Sequence, residues 1–439
     1  MNPIAQSLNQ IIEKGNPHLM EMLSHMGKNL FFPKGILSQS AEAKEKAHKL
    51  NATIGIATEH GETMHFSSVM DSICNIPPEA ALTYAPSFGI PALRKTWRDS
   101  LFAKNPSLAG NTISLPVVTC GVTHAISMFA DIWLNPDDVV ILPDMMWGNY
   151  NMILNVRKGA KISSYPLFSE SGGFNLSAFE KKVRAEAKEH DKIAVLLNFP
   201  QNPTGYSLTT EEGSRIVEIL AKMAGEGTNI MAVTDDSYFG LFYEDKTLKE
   251  SLFANLCSRH PRLLAVKLDG ATKEHFVWGL RVGFITYGCE TEGDPSAVYD
   301  ALERKTAGSV RGSISNASHL GQTVILRSML GDNFTKEKEE KFKILKSRSK
   351  RVKEVLLDPR YKEAWDVYPF NSGYFMCIKL KSVDAEALRL HLLDKYGVGL
   401  ISMGKTDLRI AFSCLEENEI PELFDIILKG VEDLKVNNT

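Results

Sequence analysis

A lysine set directly behind an apolar strand can do chemistry that a solvated lysine cannot. Lys273 follows the run Leu263 to Leu268 and the small-residue turn Gly270-Ala271-Thr272. Desolvation at such a place lowers an amine's pKa toward neutrality, and a neutral amine condenses with carbonyls. Other polar residues also stand at the ends of apolar runs. Asp235 comes straight after Ile230–Thr234, with the phenol of Tyr238 three residues on. A carboxylate there is costly unless it meets a cation. Asn202 lies in the turn Phe199-Pro200-Gln201-Asn202-Pro203-Thr204-Gly205, after Ile193–Asn198. A residue before proline is pushed out of helical space, so its amide can point into a cleft. Arg281 stands eight residues beyond the lysine, beside the apolar stretch to Ile285.

Three further segments belong to this set. Cys120-Gly121-Val122-Thr123 follows Leu115–Thr119 and opens a helix. A glycine turn at a helix start offers free N–H groups and a positive dipole end, which suits a phosphate, and Thr123 could add a hydroxyl. An ordinary helix N-cap fits the same residues. Trp147 and Tyr150 follow Val139–Leu142, where aromatics can wall a planar ligand or anchor the core. Arg409, in Asp407-Leu408-Arg409-Ile410-Ala411-Phe412-Ser413, needs an anionic partner unless it lies at the surface of an edge strand.

The elements that must hold these residues alternate. Strands are expected at Leu115–Thr119, Val139–Leu142, Lys161–Tyr165, Ile193–Asn198, Ile230–Thr234, Leu263–Leu268 and Val282–Thr286. Helical patterns at Val122–Trp133, Leu176–His190 and Thr209–Ala224 lie between them, the last opened by Thr209/Thr210 and Glu212. Continuous apolar strands joined by helices imply an α/β fold, with a mostly parallel seven-stranded sheet between helices. From about Asn316 the texture changes to a smaller α+β lobe. It has helices at Gln322–Leu330, Lys336–Leu357 and Ala385–Tyr396 and strands at Tyr374–Leu380 and Leu408–Ser413. The charge run of Lys336–Leu357 reads as a solvated helix face. The expected division is an N-terminal arm and part of the small domain (1–65), a large domain (66–315) and a C-terminal small domain (316–439).

Composition excludes several classes. The chain has 439 residues, 44% hydrophobic and 23% charged, with a net charge of −3. No basic excess exists for nucleic-acid phosphates. The six cysteines have no CxxC spacing, so they read as reduced thiols in a cytosolic protein, and metal binding finds no support. No signal peptide or bilayer-length apolar run is evident; the cytoplasm is the expected location. GxGxxG and GxxxxGK[ST] are both missing, which removes the nicotinamide and nucleoside-triphosphate loops.

Asn202-Pro203-Thr204-Gly205, then Asp235-x-x-Tyr238, then Lys273 and Arg281, in that order, resemble the fold-type I aminotransferases of class I/II that use pyridoxal 5′-phosphate (PLP). Thr53–Glu62, Leu82–Arg94, Pro143 to Tyr150 and Asp235 to Phe242 are similar to the aspartate aminotransferase branch. The resemblance implies that Lys273 binds PLP covalently and then shuttles a proton. Asp235 would pair with the ring nitrogen, and Tyr238 and Asn202 would bond the ring's phenolic oxygen. Trp147 would stack on the ring. Gly121, Val122, Thr123, Thr272 and Arg281 would hold the phosphate, joined by Tyr84 from a neighbouring subunit, so a homodimer is expected. Arg409 would clamp the substrate α-carboxylate, and Ile56 and Ala57 would belong to the substrate loop. Arg311 resembles an arginine that reads a distal carboxylate from the partner subunit; a plain loop arginine is the alternative.

The implied function is amino transfer between an L-amino acid, acidic if Arg311 plays that part, and a 2-oxo acid, by a ping-pong route in amino-acid metabolism. A β-lyase or carbocyclic synthase of the same fold is the alternative. This chain departs from the family at Gly270, where a phosphate-binding serine is common. It departs again at His275, Phe276 and Trp278, which replace a glycine-rich stretch, at Ala57, and at Ala317-Ser318 after Arg311.

Overall fold

The computed structural model describes residues 1–32 and 35–436. Seven strands form the main sheet: β1 (Val117–Thr119), β2 (Val139–Pro143), β3 (Lys161–Tyr165), β4 (Lys192–Asn198), β5 (Asn229–Asp235), β6 (Leu263–Gly270) and β7 (Gly283–Gly288). Their order is β1-β7-β6-β5-β4-β2-β3. Pairings among β2 to β6 are parallel, whereas β7 runs antiparallel to both neighbours. Residues 271–282 link β6 to β7 and hold no helix longer than four residues, whereas a parallel return is usually carried by a crossover helix.

Continuous apolar strands are explained by two separate cores. Val139, Ile141, Ile230 and Ala232 pack into one, and Val140, Leu142, Met231 and Val233 pack into the other. Alternate residues of each strand thus face opposite layers of helices. The helices include α1 (Gly121–Trp133), α2 (Leu176–Glu189) and α3 (Thr210–Gly225). The expected start of α3 is a reciprocal capping box between Thr209 and Glu212. Several helices had no counterpart in the sequence reading, among them α4 (Ser296–Ile314).

A second sheet holds β8 (Trp365–Val367), β9 (Phe375–Leu380), β10 (Ile401–Met403) and β11 (Asp407–Ala411), in the order β8-β9-β11-β10. The N-terminal segment joins this part of the molecule: Leu50–Asn51 pairs with Val398–Gly399, and the Ala411 amide donates to the Ala52 carbonyl. Helix His319–Leu330 lies instead against Ser67–Ile73 and Pro91–Lys104. Helix α5 (Phe334–Val355) is not solvated along its whole charge run. Arg348 is buried, bonding the carbonyls of Thr58 and Ser413 and the carboxylate of Glu416.

Among the described residues, no helix is long and apolar enough to cross a membrane and no cluster of metal-binding side chains occurs. All six cysteines are unpaired.

Candidate active site

The carboxyl ends of β4, β5 and β6 open onto a cavity of about 320 Å³. This is where an open α/β sheet offers its ligand crevice. Val122, Thr123, Trp147, Asn202, Thr272 and Arg281 line it, together with Asp235, Tyr238, Lys273 and Arg409.

Asp235 ends β5 with its carboxylate buried. Tyr150 donates to Oδ2 at 2.6 Å, and Ser237 donates its hydroxyl at 2.6 Å and its amide at 3.0 Å to Oδ1. Burial raises the pKa of the carboxyl; the bonds from Ser237 and Tyr150 and the charge of Lys273 oppose that rise. The backbone of Asp235 is tied in by Asn198, whose Nδ2 donates to the Asp235 carbonyl at 2.8 Å and whose Oδ1 accepts the Asn202 amide at 3.0 Å. One side chain at the end of β4 therefore sets both flanking residues.

Lys273 lies one turn past β6, its amine 4.7 Å from the centre of the Tyr238 ring. Desolvation lowers its pKa to about 8, helped by Arg281 and opposed by Asp235. An amine that is partly neutral near pH 8 is both nucleophile and base. Burial pushes the Tyr238 phenol up, with Arg409 opposing.

At one end of the cavity Gly121 adopts a φ of +74°, and a Cβ there would sit 2.6 Å from the Arg281 guanidinium. Glycine is required for this approach. Arg281 itself holds a left-handed φ of 54°, and its only hydrogen bond among the described residues goes to the Trp278 carbonyl. The buried Thr272 hydroxyl has no partner among the described residues. A guanidinium, an orphaned hydroxyl and a helix start therefore converge on a site for an oxyanion.

At the opposite side Arg409, on β11 and buried, stacks 4.2 Å over Phe375. It donates to the Thr53 carbonyl at 2.8 Å and to Asn202 Oδ1 at 3.3 Å, and its Nε has no partner. No carboxylate of the described residues pairs with it. Its strand lies between β9 and β10, so the edge-strand alternative is removed.

Four expected residues stand apart. Ile56 and Ala57 do not line the cavity; Gly55 does, 3.4 Å from Phe375 at its missing Cβ. Ala57 is buried and Ile56 faces a separate hollow beside Cys414. Tyr84 is 90% exposed. Arg311 lies in the last turn of α4 rather than in a loop, exposed and bonded to Ser315. Sequence reasoning gave no role to Ser237 or Asn198 and took Tyr150 only as a ligand wall or core anchor. Tyr150 and Ser237 sit inside motifs already singled out, and the signal was a polar group beside Asp235 or at a strand end.

Several known proteins are similar to this chain. The family model described as aminotransferase class I and II matches residues 77–427. An aspartate aminotransferase from Bacillus sp. (strain YM-2) is 28% identical over 275 residues, 61% of this chain and 64% of that protein. The match thus spans less than two thirds of that relative. An aromatic-amino-acid aminotransferase from Escherichia coli (strain K12) is 26% identical over 82% of this chain and 88% of the relative. The crystal structure of an aminotransferase from Anaerococcus prevotii DSM 20548 superposes with a TM-score of 0.80 at 24% identity, covering 91% of this chain and 96% of that one. It shares the fold.

Proposed function

The chain belongs to the class I and II aminotransferases, and on that premise we propose that it is a PLP-dependent aminotransferase, moving an amino group between an L-amino acid and a 2-oxo acid in two half-reactions. The observation that carries this reading is a set of functional groups left without partners around one cavity. Asp235 is buried without a fixed cation at its carboxylate, the Thr272 hydroxyl is orphaned, and Arg281 and Arg409 lack carboxylate partners. Buried polar groups are normally satisfied, so a ligand that satisfies all of these at once must be anionic at two places and cationic at a third. PLP with an amino acid fits: phosphate, substrate carboxylate and protonated ring nitrogen.

In this reading Gly121, Val122, Thr123, Thr272 and Arg281 hold the phosphate, and Trp147 covers the ring. Asp235, fixed by Tyr150 and Ser237, keeps the ring nitrogen protonated. Tyr238 and Asn202 bond the phenolic oxygen. Bound PLP supplies an electron sink for the bond electrons released at the substrate Cα. Arg409 binds the α-carboxylate bidentately and so orients the Cα–H bond. Lys273, with its lowered pKa, would take the Cα proton and hold it beside the substrate. A homodimer completes the site through Tyr84, a reading supported by the exposure of Tyr84 at 90% and of Leu82 at 82%. Acidic substrates would be read by the partner subunit's Arg311. The unpaired cysteines support a cytoplasmic setting.

The test is the absorbance of purified, PLP-loaded protein. An amino acid added alone should move the visible band of bound PLP into the near ultraviolet, and a 2-oxo acid should restore it. A band that no amino acid shifts would favour a lyase or synthase of the same fold. Failure to bind PLP would overturn the proposal.

A further inference from the structure

Resting on the PLP reading, we infer that His124 is a positioning residue for the phosphate end of the cofactor. The start of α1 has an unusual cap. Cys120 stands at the N-cap, and its side chain makes no capping bond. A serine, threonine or aspartate there would occupy one of the first free amides of the helix. Here those amides stay available for an oxyanion, and the turn is held from behind.

The holding group is His124. Its Nδ1 accepts the Cys120 amide at 3.1 Å. In the neutral ring the proton then lies on Nε2, 3.0 Å from the Ser313 hydroxyl. Ser313 passes its own hydrogen to the Val310 carbonyl at 3.1 Å. The chain Cys120 to His124 to Ser313 to Val310 thus has a single direction, with the Met128 sulfur at 3.7 Å as a second acceptor for Ser313. Partial burial, which lowers the pKa of His124, favours the neutral ring this chain needs.

The consequence is local. Cys120 immediately precedes Gly121, where a Cβ would meet the Arg281 guanidinium at 2.6 Å. A turn pinned at Cys120 fixes where the amides of Gly121, Val122 and Thr123 point. Helix α4 serves as the anchor through its last turn. His124 therefore acts through the backbone and touches no ligand.

The test compares PLP with pyridoxal, which lacks the phosphate, by equilibrium binding to wild-type, His124→Ala and Ser313→Ala proteins. Losing one cap-type hydrogen bond should weaken PLP about tenfold in His124→Ala and about threefold in Ser313→Ala, leaving pyridoxal within about twofold. Equal losses for both ligands, or unchanged PLP affinity, would overturn the inference, because a merely structural role does not single out the phosphate. If His124→Ala fails to fold, Ser313→Ala carries the same comparison. Wild-type protein binding PLP no better than pyridoxal would remove the phosphate subsite and the parent reading with it.

Discussion

Asp235 and Asp236 are neighbours in the chain and opposites in the structure, as are Lys273 and Glu274. Strand alternation sends Asp235 to the cavity and Asp236 to the other face of the sheet. On that rear face Lys267 is buried between Asp236 and Asp269, the latter at 3.7 Å. Ser251 donates to Asp236 at 2.6 Å, and the Trp97 indole donates to Asp269 at 3.1 Å. Glu274 lies 2.5 Å from both Lys104 and Lys338. Although burial alone would raise Glu274, those two lysines hold it well below the usual carboxylate range. At the front, Lys273, Arg281 and Arg409 have no such carboxylate contacts. The same residue types at adjacent positions are saturated on one side and waiting on the other. What distinguishes the charges proposed as functional is the absence of an opposite charge fixed against them among the described residues, and burial alone does not mark them.

The sharpest break of this contrast is at the paired lysines. Lys273→Ala should lower turnover by about 10⁴-fold and abolish the visible absorbance of bound PLP, with an unchanged or higher melting temperature. Lys267→Met should do the reverse. Removing the cation strands Asp236 and Asp269 in the interior and should cost about 3 kcal/mol or more by urea unfolding, while the folded fraction still binds PLP. A stable Lys267→Met protein, or an unstable Lys273→Ala protein, would erase the distinction between the faces.

Arg409→Ala should lower kcat/KM about 100-fold through the loss of a bidentate charged contact, leaving PLP affinity unchanged. Weakened PLP binding would instead place Arg409 with the cofactor.

Titration offers a subtler probe. In the folded, cofactor-free chain Lys273 loses its proton near pH 8 rather than at its ordinary 10.5. Between those values the unfolded chain binds more protons, so the contribution of Lys273 to stability rises with pH there and is constant below pH 8. Wild-type minus Lys273→Met unfolding free energies should therefore increase from pH 8 to pH 10. A flat difference would mean that the amine is not desolvated.

Much of the front face was legible in the sequence, because strand C-terminal ends announce themselves. An apolar run stops, a polar residue follows, and the spacing is fixed by short turns; Lys161–Tyr165 and Ala385–Tyr396 coincide with their elements end to end. The rear face was not legible. Lys104, Glu274 and Lys338 come from three distant segments, and only the folded packing brings them together. Register defeated the substrate loop, where Gly55 rather than Ile56 or Ala57 meets the cavity. Asn198 was read as the end of a strand, yet its side chain ties the end of β5 to the turn at Asn202. Arg348 was folded into a solvated charge run, since nothing local marks one arginine of a long charged helix as buried.

Arg311 fits neither face. It is exposed, its contact to Ser315 is local, and it lies in the last turn of α4. A charge of that kind is worth little within its own chain. In the proposed homodimer its route to specificity would run across the subunit boundary, onto the side chain of a substrate held by another copy. Arg311→Ala should then lower kcat/KM for aspartate or glutamate about fivefold more than for an apolar amino acid, the scale of one solvent-accessible ion pair. Equal losses across both substrate classes would return Arg311 to the solvated surface, and the groups waiting for a ligand would be those of the cavity alone.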